Sequence, residues 1–163
     1  MIFDPNVHHR KSRPKHVYSL AWSVRIRRPP EAVFQFCLDG ANFQKIAPNR
    51  VEPVKETDET IVKLDHVYPF RQWTAGIPTR WTMHVVELVP NERFVDELLR
   101  GPMRYVRHTH VFEKAGSGTV YTDLLEYRPY TGPLLQHLFV KGEMHRTFAH
   151  RQREMKRLLE NAP

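Results

Sequence analysis

The sequence predicts an α+β domain: a curved antiparallel sheet of seven strands wrapped around one long C-terminal helix, with two short helices after the first strand. Three observations predict it. Apolar residues alternate with period two near the start of the chain, and strand-like segments return six more times further on. The gaps between those six segments are short and rich in Gly, Pro, Asn and Asp, so consecutive strands must run antiparallel. After Pro133 the spacing of apolar residues becomes helical, which gives the sheet something to grip.

The first strand runs from His16 to Arg27, with Tyr18, Leu20, Trp22, Val24 and Ile26 on its apolar face. Pro29 and Pro30 end it, and Pro30 suits the first turn of a helix through Cys37. Asp39 and Gly40 stop that helix. A second, from Phe43 to Ile46, has Asn42 as its expected cap and ends before Pro48. The remaining strands are expected at Val51–Glu56, Ile61–Trp73, Thr79–Val89, Arg93–Leu99, Met103–Glu113 and Thr119–Tyr130. Turns fall at Asp58, Gly76 with Pro78, Pro90 with Asn91, Gly101 with Pro102, and Gly116 to Gly118. Leu134, Leu138, Met144, Phe148, Met155, Leu158 and Leu159 draw one stripe on the last helix. Gly142 is its expected weak point, leaving Met144–Glu160 as the firm part.

A chain of 163 residues with 40% hydrophobic residues can bury one proper core. Its single thiol, Cys37, excludes an internal disulfide, a zinc ribbon and a CxxC redox site. No apolar run is long enough to span a bilayer or to act as a secretory signal, so the expected location is the cytoplasm. The formal net charge of +7 is unevenly spread. Residues 1–30 carry 7 basic and 1 acidic side chain, residues 31–140 carry 12 and 14, and residues 141–163 carry 6 and 3. The excess belongs to a basic arm, residues 1–15, preceding a single domain at 16–163, and to the last helix. Without interleaved aromatics or a recognisable motif, nucleic acid is not expected as a partner. The arm (Arg10, Lys11, Arg13, Lys15) instead offers a surface for an acidic partner or a membrane.

Particular stretches resemble a known family. They are Gly76-Ile77-Pro78-Thr79-Arg80-Trp81, Val89-Pro90-Asn91-Glu92-Arg93-Phe94-Val95-Asp96, Gly101-Pro102, His108-Thr109-His110 with Phe112 and Glu113, and Asp123 followed by Tyr127. With the order of elements, they are similar to the START-like superfamily and to its bacterial SRPBCC, cyclase/dehydrase-like branch, over about residues 16 to 160. The resemblance implies a helix-grip fold and the binding of apolar ligands such as sterols, lipids, polyketides or quinones. A few members of that superfamily act as cyclases or hydratases, so the resemblance by itself assigns no reaction.

The candidate chemistry lies on two strands. His108, His110 and Phe112 share one face. A tight turn between Ala115 and Gly118 sets His110 opposite Asp123, His108 opposite Leu125, Val106 opposite Tyr127 and Phe112 opposite Tyr121. That face is largely apolar and is expected to point inward. A buried imidazole against a carboxylate can serve as an acid/base pair, or simply as a cross-strand pair that holds the sheet. Candidates for catalysis are therefore His110 and Asp123, with His108 or Tyr127 as donor. The Gly101 turn decides the nearest acid. A two-residue loop brings Glu97 to the histidines and a three-residue loop or bulge brings Asp96, which the family resemblance favours. His-x-His can also hold zinc, with His84 or an acid as a third ligand, but His84 falls on the face opposite Trp81 and spacing places no third ligand, so neither metal nor cofactor is expected. Trp81, Met83 and Val85 should form one wall of a pocket and Met144 and Phe148 the other, with the Gly76–Pro78 loop as a gate. Phe94, Asp96, Val106, His108, His110, Phe112, Tyr121, Asp123, Leu125 and Tyr127 complete the expected ligand-binding set. Non-catalytic binding of a small hydrophobic ligand is favoured over cyclase or dehydratase activity.

Overall fold

A computed structural model of the chain describes residues 12–54, 60–74 and 76–161. Most of the basic arm, the end of the Val51–Glu56 strand and the Asp58 turn therefore lie outside the described residues.

Seven strands form one antiparallel sheet: β1 (Tyr18–Ile26), β2 (Val51–Pro53), β3 (Val67–Thr74), β4 (Ile77–Val89), β5 (Arg93–Arg100), β6 (Met103–Ala115) and β7 (Gly118–Pro129). Their order is β1-β7-β6-β5-β4-β3-β2, so the first strand closes beside the last and the other neighbours are sequential. Gly118 sits where β7 meets β1. A Cβ there would stand 2.5 Å from the Ile26 carbonyl oxygen, so only glycine fits.

Between β1 and β2 come α1 (Pro30–Leu38) and α2 (Gly40–Ile46). The second helix starts earlier than its sequence suggests, because Asp39 rather than Asn42 caps it; the Asp39 carboxylate accepts from the Ala41 amide at 3.0 Å. The third strand starts later than expected, at Val67. Before it the chain turns through Asp65, whose φ of 61° breaks the extended path that the apolar pattern from Ile61 suggests.

The C-terminal helix runs through α3 (Pro133–Leu135), a π-helical turn (Gln136–Val140) and α4 (Lys141–Asn161). The irregularity falls at the π turn and not at Gly142, which sits inside α4. The stripe divides at the same place. Phe148, Met155 and Leu159 are buried, whereas Leu134 and Leu138 face solvent at 71% and 58% exposure.

The core has two parts. Ile26, Val33, Phe34, Leu38, Ile46, Phe94, Phe112, Tyr121, Met155 and Leu159 pack where the short helices cap one end of the sheet. Met83, Leu98, Met103, Val106, Leu125, Tyr127 and Phe148 pack along the sheet under the other part of the long helix. Among the described residues no helix is long and apolar enough to cross a membrane.

Candidate functional site

A cavity of about 840 Å³ lies between the sheet and α4. Native cores hold few voids larger than a water molecule, so a space of this size is not a packing defect. Its walls are mostly apolar: Tyr68 and Phe70 on β3, Trp81 and Met83 on β4, and Met144, Phe148 and Met155 on α4. Phe70 stacks on Trp81 with centroids 6.2 Å apart, and Phe148 is backed by Trp22, stacked on it at 4.3 Å. Phe139, 64% exposed, marks the rim.

One patch of the wall is polar. The β6–β7 register sets His110 opposite Asp123 and His108 opposite Leu125, while β5 sets Asp96 opposite His108 and Glu97 opposite Arg107. This β5–β6 register puts Asp96 inside, although only Gly101 and Pro102 separate the two strands, and Glu97 forms an ion pair with Arg107 instead. Asp123 is 2% exposed and accepts three hydrogen bonds. His108 Nε2 donates to its Oδ1 at 2.8 Å, the Tyr121 hydroxyl donates to the same oxygen at 2.6 Å, and Gln152 Nε2 donates to Oδ2 at 2.8 Å. His110 contacts the Tyr121 hydroxyl through Nδ1 at 2.7 Å and Asp96 Oδ2 through Nε2 at 3.3 Å.

This wiring corrects the expected pair. His110 and Asp123 face each other across the ladder, but their nearest atoms are 3.8 Å apart and His108 holds the carboxylate. Tyr127 is not the neighbouring hydroxyl either; fully buried, it accepts from Gln136 Nε2 at 2.7 Å, and Tyr121 takes the place expected for it.

Electrostatics follow from the burial. Desolvation lowers the pKa of His110 from 6.5 to about 4; His108 reinforces this, while Asp96 and Asp123 oppose it. Burial alone would raise Asp123 and Asp96. Close contact with the histidine rings and their charge outweigh it, so both carboxyls sit below the usual range. Burial, then the Asp123 charge, pushes the Tyr121 phenol well up. Cys37 lines the cavity, and burial raises its thiol pKa well above the usual value.

Of the expected ligand-binding residues, Trp81, Met83, Phe94, Asp96, Val106, His108, His110, Tyr121, Leu125, Met144 and Phe148 line the cavity. Val85, Phe112, Asp123 and Tyr127 do not. Val85 is completely buried, Phe112 is sealed in the aromatic cluster with Phe34 and Phe94, and Asp123 lies behind His108 and Tyr121. At the loop expected to be a gate, Ile77 is 66% exposed, and among the described residues there only the flanking Thr74 and Thr79 reach the cavity.

Three contributors carry no clear signal in the sequence. Tyr68 stands on a strand whose inward face the apolar pattern does not define. Gln152 occupies a stripe position of α4 but is polar. Arg151 lines the cavity with its guanidinium 4.9 Å from the Phe43 centroid and 5.0 Å from that of Phe148. His84, as expected, is away from this cluster, with its Nε2 3.4 Å from Asp65. A third donor does reach the His-x-His pair, however: Asp96 comes from the neighbouring strand, a proximity that spacing along one strand cannot reveal.

The family described as polyketide cyclase / dehydrase and lipid transport matches residues 26–153. No curated protein matches the chain significantly. Among solved structures, the fold is similar to protein CV1439 from Chromobacterium violaceum (16% identity, TM-score 0.72), covering 88% of this chain and 98% of that one. It is similar also to TTHA0849 from Thermus thermophilus (19% identity, TM-score 0.65, 87% and 97% covered). The ZhuI aromatase/cyclase from Streptomyces sp. R1128 shares 14% identity at a TM-score of 0.70, with 89% and 94% covered.

Proposed function

Since the chain belongs to the polyketide cyclase, dehydrase and lipid transport family, we propose that it holds a small hydrophobic molecule between its sheet and its C-terminal helix, as a carrier or sensor. A lipid, quinone, polyketide or aromatic compound fits this reading. The observation that carries it is the cavity: about 840 Å³, within the span of about 300–1,000 Å³ usual for ligand sites, with apolar walls and one polar patch. The aromatic walls supply affinity by removing apolar surface from water. The patch of Asp96, His108, His110 and Tyr121 would orient a ligand that carries an oxygen function. Native mass spectrometry of the purified protein, with thermal shift against lipids, quinones and polyketides, is expected to show one ligand per chain and a raised Tm. Absence of any bound molecule across those classes contradicts the reading.

A specific observation also supports a second reading, an enzyme of the cyclase or dehydratase kind. The His108–Asp123 contact orients an imidazole at the cavity wall, and His110 with Tyr121 forms a second proton path beside it. The similarity to an aromatase/cyclase agrees with it at the level of the fold only. On this reading His108→Gln lowers turnover of a polyketide substrate by about 100-fold or more while leaving substrate binding intact. Equal losses of binding and turnover would place His108 in ligand recognition alone.

A further inference from the structure

We propose that Asp96, His108 and His110 form a binding site for a divalent first-row transition ion of the zinc type, with one coordination position open to the cavity. One donor atom from each of the three lies within 4.8 Å of the others, all three residues are buried, and all three line the cavity.

The proton inventory of the hydrogen bonds points to it. Tyr121 gives its one hydroxyl proton to Asp123, so towards His110 it can only accept, and the ring proton of His110 must sit on Nδ1. With Nδ1 carrying that proton, Nε2 presents a lone pair to Asp96 Oδ2, 3.3 Å away. Two acceptors facing each other need a positive centre between them. A proton would draw them into a charge-assisted contact of about 2.7–2.9 Å. Two ligands of a tetrahedral ion, each about 2.0–2.1 Å from the metal, stand about 3.3 Å apart. The observed 3.3 Å accommodates the second case.

His108 repeats the pattern. Its Nε2 proton goes to Asp123, which leaves Nδ1 as the nitrogen for a ligand bond. A ligating histidine whose other nitrogen donates to a carboxylate is the common outer arrangement of metal sites. Asp123 here supports both rings, directly for His108 and through Tyr121 for His110. Two imidazoles and one carboxylate suit zinc, iron(II) or cobalt(II) rather than calcium or magnesium. The inference does not depend on the apolar ligand, because the three donors exist whether or not the cavity is filled.

The test uses tag-free, chelator-treated protein titrated with Co²⁺. The expected result is one equivalent per chain, ligand-field bands of a four- or five-coordinate ion, displacement by Zn²⁺, and a Zn²⁺-dependent rise in Tm. His110→Gln and Asp96→Asn should abolish the bands, and Asp123→Asn should weaken binding about 10–100-fold through the lost outer contact. His137→Gln, on an exposed position of the π turn, should change nothing. Circular dichroism checks that each variant is folded. Bands of a six-coordinate aqueous ion, no saturation, or an unchanged spectrum in the His108→Gln/His110→Gln double variant would overturn the site. Apolar dye binding that survives metal removal separates this result from failure of the ligand reading.

Discussion

Asp123→Ala lowers the free energy of unfolding by about 3–5 kcal/mol, read from urea titration. The carboxylate is 2% exposed and is the shared acceptor of His108, Tyr121 and Gln152, which come from β6, β7 and α4. Removing it takes the acceptor from three buried donors at once, of which Gln152 Nε2 keeps another in the Trp22 carbonyl oxygen at 2.8 Å, and a buried donor without a partner loses its hydration with nothing in return. A chain of this size is stable by only about 5–15 kcal/mol, so the variant approaches the edge of folding. Asp123→Asn keeps an acceptor oxygen and should lose less. A loss under about 1 kcal/mol for the alanine variant would show that the three donors find other partners, and would remove Asp123 from the centre of the site.

Acid destabilises the protein in a window set by His110. Its folded pKa is about 4 against 6.5 for an exposed ring, so the unfolded chain takes up this proton first as the pH falls. The contribution is complete above pH 6.5, shrinks from there, and is gone once the pH passes about 4. Its full size is about 3 kcal/mol. Asp96 and Asp123, whose pKa values are also depressed, act in the same direction at lower pH, because protonation there is resisted by the fold. Urea titrations of chelator-treated protein at several pH values measure the slope. His110→Gln should flatten it between pH 6.5 and 4, and a slope unchanged in that variant would assign the linkage to other groups.

Much of this arrangement is legible in the order of the residues alone. The alternation in β6 and β7, with a tight turn between Ala115 and Gly118, sets the ladder that places His110 opposite Asp123. What alternation cannot supply is which side chains meet. Residues directly opposite are not always partners, because side chains lean along the strand and diagonal neighbours come within reach of a long ring. Asp123 therefore bonds the diagonal His108. The Asp96 or Glu97 choice depends on the length of one turn, a single residue that exchanges the two faces. Gln152 is hidden for another reason. It lies four residues from Phe148 and three from Met155, on the buried stripe, but a polar residue there reads as an interruption unless a buried acceptor is known to face it. The π turn, which lets Gln136 reach Tyr127, has no signature in apolar spacing.

On the proposed function, the space under the helix is a ligand site and not an unfilled core. Fluorescence titration with an apolar solvatochromic dye such as Nile red, on the wild-type chain and on Met144→Trp, tests it most directly. Met144 lines the cavity from α4, so an indole there projects into the space while its backbone stays helical. The expected result is saturable one-to-one binding with a blue-shifted emission, weakened at least about tenfold in a folded Met144→Trp, a loss of about 1.4 kcal/mol or more. Binding that does not saturate, or that Met144→Trp leaves unchanged, would contradict it.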